Sequence, residues 1–167
     1  VLVELLEQRY DGVAGFNAVW GSALEGLADL LALTSVPSHG PRDEALAMAD
    51  RRAFLAVVAE RYFRVVHDAI RAVDPHHLIL GCRLVATIAP AEVLAAAAPY
   101  VDVFSVNDYA FNPGFGEMVA EMFGPVVAPG EMLAELHERT GRPILISEYG
   151  FRADGGAPPN TWPPFYR

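Results

Sequence analysis

Gly141-Arg142-Pro143-Ile144-Leu145-Ile146-Ser147-Glu148 is the stretch that decides the fold. Before it, Pro129 and Gly130 precede a helix that runs to about Thr140. Gly141 is suited to cap that helix, because glycine enters the left-handed region without steric cost. Pro143 then leads into a further strand, Ile144 to Glu148. The same order occurs twice upstream. Pro90 fits a first helical turn, Ala91 to Ala98 continues it, and Pro99 stops it before a second strand, Val101 to Val106. Earlier still, an apolar stripe that includes Phe54, Val58, Tyr62, Val65 and Ile70 predicts a helix from about Asp43 to Val73, capped by Asp43. Asp74-Pro75 ends it, and Leu78 to Cys82 reads as the first strand. Such alternation predicts an α/β fold with parallel strands, either an open doubly wound sheet or a closed barrel.

Toward the N-terminus, Leu2, Leu5, Leu6 and Tyr10 recur at helical spacing until Gly12. A short helical piece holding Phe16, Asn17 and Trp20 follows, closed by Gly21, with Trp20 expected in the core. Thr34 to Arg42, rich in serine, proline and glycine, reads as an irregular loop. Glu60, Arg64 and Asp68 stand four residues apart and fit a solvated, ion-paired helix face. The ten N-terminal residues carry Glu4, Glu7 and Arg9, unlike a secretory signal or a membrane span. The opening residue is not methionine and the last residues form a proline-rich run, so both ends are expected to lie inside a larger domain.

Composition narrows the chemistry. Of 167 residues, 53% are apolar and 20% charged, enough for a sizeable core and against disorder. The formal charge of -9 argues against nucleic acid and anionic membranes as partners. Every one of the 12 basic residues is arginine, which excludes a Schiff-base lysine and a Walker lysine from this stretch. A single cysteine, Cys82, excludes an internal disulfide. Gly114 and Gly116 lack the third glycine of a dinucleotide fingerprint. His76 and His77 are adjacent and diverge, and His67 and His137 lie in helices, so neither a metal nor a cofactor is expected.

In parallel α/β folds chemistry gathers where strands end. The first strand runs out into Arg83, the second into Asn107, Asp108 and Tyr109, and the third into Glu148 and Tyr149. A carboxylate leaving an apolar strand is either paired or functional. Glutamate can attack an anomeric carbon, a tyrosine hydroxyl can hold that glutamate, and Asn and Arg can bind sugar hydroxyls. The bland alternatives stand beside these. Glu148 can be a structural partner of Arg83, Arg83 an ion-pair strut, Tyr109 a packed aromatic, and Trp162 a loop anchor rather than a stacking platform for a sugar ring.

Pro143 to Phe151 resembles the seventh-strand motif of the clan of retaining glycoside hydrolases built on a (β/α)8 barrel, in which the glutamate is the nucleophile. Asp74-Pro75-His76-His77-Leu78-Ile79-Leu80-Gly81 is similar to that clan's junction into the fifth strand. Asp102 to Asn107, with Tyr109, is similar to its sixth. Arg9-Tyr10 and Phe16 to Gly21 resemble the segment after the fourth strand in β-galactosidase and agarase-like members. The resemblance implies that residues 1–167 form one incomplete domain, a partial TIM (β/α)8 barrel from about helix 4 through strand 7. It implies Glu148 as the catalytic residue, Arg83, Asn107, Tyr109 and Trp162 as substrate-binding residues, and an oligosaccharide or polysaccharide as substrate. The clan's acid/base glutamate, in an Asn-Glu pair at the end of the fourth strand, has no counterpart here. The chain by itself is therefore expected to be inactive, and to self-associate through open barrel edges or lean on the rest of a longer polypeptide. The rival readings are a non-catalytic carbohydrate-binding barrel or pseudoenzyme, and an open α/β binding protein.

Overall fold

The computed structural model describes residues 1–33, 42–86, 88–108, 120–122 and 129–149. Tyr109, Gly114, Gly116, Trp162 and most of the expected Thr34 to Arg42 loop lie outside them. The chain divides into two compact units, Val1–Val58 and Ala59–Arg167.

In the first unit, helices α1 (Leu2–Arg9) and α2 (Gly12–Trp20) are followed by a 3-10 helix at Leu27–Ala32 and by the start of α3 (Glu44–Val73). Glu4 in the first turn of α1 and Arg9 in its last complement the helix dipole. Gly21 terminates α2 in the left-handed conformation, as expected. Leu6, Phe16 and Leu27 form the buried centre, with Tyr10 and Trp20 packed on it. The Phe16 ring stacks on Trp20 at 5.8 Å and meets the edge of Tyr10 at 5.5 Å. Asn17 clamps the following turn, donating to the Leu24 carbonyl and accepting from the Leu24 amide. Asp43 caps α3 by accepting from the Leu46 amide at 3.0 Å.

The second unit is a three-stranded parallel sheet in the order β1-β2-β3, with β1 at Leu84–Val85, β2 at Phe104–Asp108 and β3 at Ile144–Tyr149. Between the strands lie α4 (Ala91–Ala97), a 3-10 turn over Ala98–Tyr100 that holds Pro99, and α5 (Pro129–Thr140). Phe104 and Val106 put one face of β2 into a core shared with Ala59 and Phe63 of α3, Leu94 and Ala97 of α4, and Leu136 of α5. Ser105 and Asn107 alternate onto the other face.

Three expectations need correction. The second strand runs over Phe104–Asp108 rather than Val101 to Val106, so Asn107 and Asp108 lie within it and not beyond its end. Leu78 to Cys82 is not a strand. The Ile79 and Leu80 carbonyls do accept from the Asp102 and Ser105 amides, so the segment runs beside the approach to β2. Gly81 then turns it with φ +70°, and regular pairing starts only at Leu84. Arg83 therefore precedes β1 and does not end a strand. Nor is the α3 stripe buried throughout. Val58, Tyr62, Val65 and Ile70 are exposed, while Ala59 and Phe63, which lie outside the predicted stripe, are the α3 residues buried in the core of the second unit. The solvated face is partly as expected: Arg64 lies 3.5 Å from Glu60, while Asp68 lies 2.9 Å from His67.

Candidate active site

Three of the five residues singled out in the sequence come together. Glu148 Oε2 accepts from Arg83 Nη1 at 3.0 Å and from Asn107 Nδ2 at 3.0 Å. Arg83 stands two residues before Val85, and Val85, Asn107 and Glu148 form one row across the sheet. Tyr109 and Trp162 are outside the described residues.

The row depends on an irregularity in β3. Phe104, Ser105 and Val106 pair with Ile144, Leu145 and Ile146, but Asn107 pairs with Glu148, so Ser147 is an extra residue between two rungs. Such a bulge re-aims the side chains that follow it. The Ser147 hydroxyl lies 2.8 Å from Ser105 Oγ and 3.3 Å from Asn107 Oδ1.

The energetics bear on the strut reading of Arg83. Its side chain is 62% exposed and that of Glu148 41%, so water screens the pair. Ion pairs of this kind contribute about 0–1 kcal/mol to stability. What the arrangement supplies is orientation. Two donors fix one carboxylate oxygen.

Serines 105 and 147 escaped the sequence reading. Their signal was a polar residue interrupting each apolar strand two positions before Asn107 and one before Glu148. A second polar cluster, in the first unit, also escaped it. Asp50 on α3, 5% exposed, accepts from Arg9 Nε, from the Tyr10 hydroxyl and from Trp20 Nε1 at 3.0 Å. Burial pushes the Asp50 carboxyl up, but the bonds from Tyr10, Arg9 and Trp20 together outweigh it and hold the group below the usual carboxylate range. Burial, then the bond to Asp50, raises the Tyr10 hydroxyl above its ordinary value. Asp50 has every donor it needs close by and serves as a structural anchor.

Asp102 is similarly engaged. It accepts from the Ile79 amide at 2.7 Å and from Arg71, and the Ile79 bond is the main cause that holds its carboxyl below the usual range. Among the described residues no group of three or more His, Cys, Asp or Glu side chains is placed to hold a metal ion. No helix among them is long and apolar enough to cross a membrane.

Comparison with known proteins points in one direction. No protein-family model matches the chain. It is 31% identical over 159 residues to β-agarase A of Vibrio sp. (strain JT0107), covering 92% of this chain and 14% of that protein. To β-agarase B of the same strain it is 30% identical over 107 residues, 64% of this chain and 11% of that one. Among solved structures, an exo-β-agarase superposes with a TM-score of 0.66 at 32% identity, over 89% of this chain and 17% of that chain. The agarase AgWH50C superposes with a TM-score of 0.65 at 30% identity, over 90% of this chain and 19% of that chain. The chain is thus related to a small part of the β-agarases, and its mixed α/β fold of parallel strands corresponds to a portion of a larger agarase structure.

Proposed function

We propose that this chain is part of the catalytic (β/α)8 barrel of a retaining β-glycosidase that hydrolyses agarose or a related galactan, with Glu148 as the nucleophile. The observation that carries the reading is the convergence of Arg83 and Asn107 on Glu148 Oε2, in a segment related to β-agarases. In this reading residues 1–167 form one portion of the barrel, from about its fourth helix through its seventh strand.

Glu148 would attack the anomeric carbon to give a glycosyl-enzyme, while a second carboxylic acid protonates the departing oxygen and later activates water. That chemistry requires two carboxyl groups about 5 Å apart. The second would come from elsewhere in a longer polypeptide, and the chain alone would not turn over substrate. Arg83 and Asn107 keep the nucleophile aimed, and their remaining N–H groups can meet sugar hydroxyls. Tyr109, two residues beyond Asn107, would donate its hydroxyl to Glu148, and Trp162 would stack on a sugar ring.

The test is Glu148→Gln in the full polypeptide that carries this chain, followed as release of reducing ends from agarose. Amide for carboxylate preserves shape but removes the nucleophile. The expected loss is at least about 1,000-fold in kcat, comparable to deletion of other nucleophiles. Turnover near that of the parent would overturn the assignment and leave a carbohydrate-binding barrel as the better account.

A further inference from the structure

The reaction proposed above gives no role to the hydroxyls of Ser105 and Ser147, yet both lie beside the row that holds Glu148. Without the bulge, Ser147 would stand opposite Asn107. Glu148 would then fall opposite Asp108, which alternation sends to the other face of β2 and whose side chain is 1% exposed. With the bulge, two consecutive side chains reach the same neighbour. Ser147 Oγ lies 3.3 Å from Asn107 Oδ1 while Glu148 Oε2 takes the Asn107 NH2 at 3.0 Å.

The hydrogen-bond directions follow from donor and acceptor counting. Ser105 Oγ donates to Ser147 Oγ at 2.8 Å, which occupies an acceptor position of Ser147. The single Ser147 proton is then directed toward β2, where it is shared between the Val106 carbonyl at 3.1 Å and Asn107 Oδ1 at 3.3 Å. A carboxamide has one accepting end and one donating end. A hydroxyl donor beside Oδ1 therefore favours the rotamer that presents NH2 to Glu148.

We propose that Ser147, itself anchored by Ser105, is a positioning residue that holds the Asn107 carboxamide with its NH2 on Glu148. This rests on the reading of Glu148 as the nucleophile. Without the Ser147 hydroxyl, the broad terminal torsion of Asn107 is free to swing, and the carboxylate loses a fixed donor in part of the population.

The experiment uses the full polypeptide, with reducing ends from agarose as the readout. Ser147→Ala lowers kcat/KM by about five- to tenfold, the effect of one modest hydrogen bond. Ser147→Thr, which keeps the hydroxyl, returns activity to within about two-fold of the parent. In an Asn107→Ala background, Ser147→Ala costs no more than about two-fold, because the group it acts through is gone. A merely structural serine would give additive losses in that cycle, and additivity overturns the proposal. So does full activity in Ser147→Ala. Ser147→Cys, close in size with a weak donor, covers the case in which alanine disturbs folding; it falls about five-fold if the proposal holds, and unchanged activity overturns it. Glu148→Gln, run in parallel, separates the two ideas. If that variant is inactive while Ser147→Ala is normal, only the positioning role fails, whereas an active Glu148→Gln removes the nucleophile reading itself.

Discussion

Replacing Asp50 by asparagine tests what holds the first unit together. The carboxylate gathers three donors on two oxygens: Arg9 on Oδ1, and Tyr10 and Trp20 on Oδ2. Asparagine has the same shape but one acceptor oxygen. If its NH2 faces Arg9, a charge-assisted bond becomes a contact between two donors. If its NH2 faces the other way, Tyr10 can turn to accept from it, but the Trp20 N–H is left without an acceptor and Arg9 keeps only a neutral one. The second arrangement is the cheaper, at about 1 kcal/mol for weakening the Arg9 bond and about 2 kcal/mol for the orphaned indole, or about 3 kcal/mol in all. That matches the lower end of the cost of breaking a buried ion pair, about 3–5 kcal/mol.

Amide hydrogen exchange reads this in a polypeptide of any length. The Tyr10 amide, bonded to the Leu6 carbonyl at the end of α1, reports opening next to Asp50. A loss of about 3 kcal/mol accelerates its exchange by about 150-fold, at 1.36 kcal/mol per decade. Acceleration below about five-fold would refute the claim that Asp50 anchors the unit. The pH dependence gives a second check. Because the native carboxyl is held below its usual range, the unfolded state binds more protons in the interval between the two pKa values, and stability rises with pH there. The Asp50 contribution is complete above the unfolded pKa and disappears as pH falls through the native one. The ratio of variant to parent exchange rates should therefore shrink on acidification.

Two more substitutions probe the second unit. Gly81→Ala forces a Cβ onto a backbone at φ +70° and within 2.7 Å of Val101 Cγ1, a buried side chain with little room to move. The left-handed penalty alone is about 1–2 kcal/mol, so a lower melting temperature is expected, and Val101→Ala should restore only the share due to the clash; an unchanged melting temperature would count against the turn as described. Asp102→Ala removes the acceptor of the Ile79 amide and the partner of Arg71, so exchange at Ile79 should accelerate while Phe104, bonded to the Pro143 carbonyl, stays protected; equal acceleration at both would show that Asp102 supports the whole sheet.

How much of this was legible in the sequence depended on whether the signal was local. Pro143 and Gly141 mark a boundary through their own backbone preferences, and the structure has Gly141 at φ +63° and β3 starting at Ile144, as expected. Asp43 as a cap and the extent of α3 were legible for the same reason. Leu78 to Cys82 misled because an apolar run looks alike whether or not a left-handed glycine interrupts its pairing. Asp50 was hidden among the many acidic residues of the chain, although it stands three residues from the fully buried Ala47 on the same helix face. The bulge at Ser147 is a property of the ladder between two strands 40 residues apart, and nothing within Ile144 to Tyr149 announces it.

That Arg83 still reached the site after its strand was misplaced has a geometric cause. The strand order puts β2 between β1 and β3, so Arg83 and Glu148 approach each other across two ladder spacings, each about 4.8 Å, above Asn107. Only long side chains span that distance, and their length makes the contact tolerant of where regular pairing begins. Asn107 has no such reach, and its contact with Glu148 requires the two to share one rung. Residue type was therefore enough to foresee the arginine, whereas the Asn107 contact depended on a register shift that only the folded sheet displays.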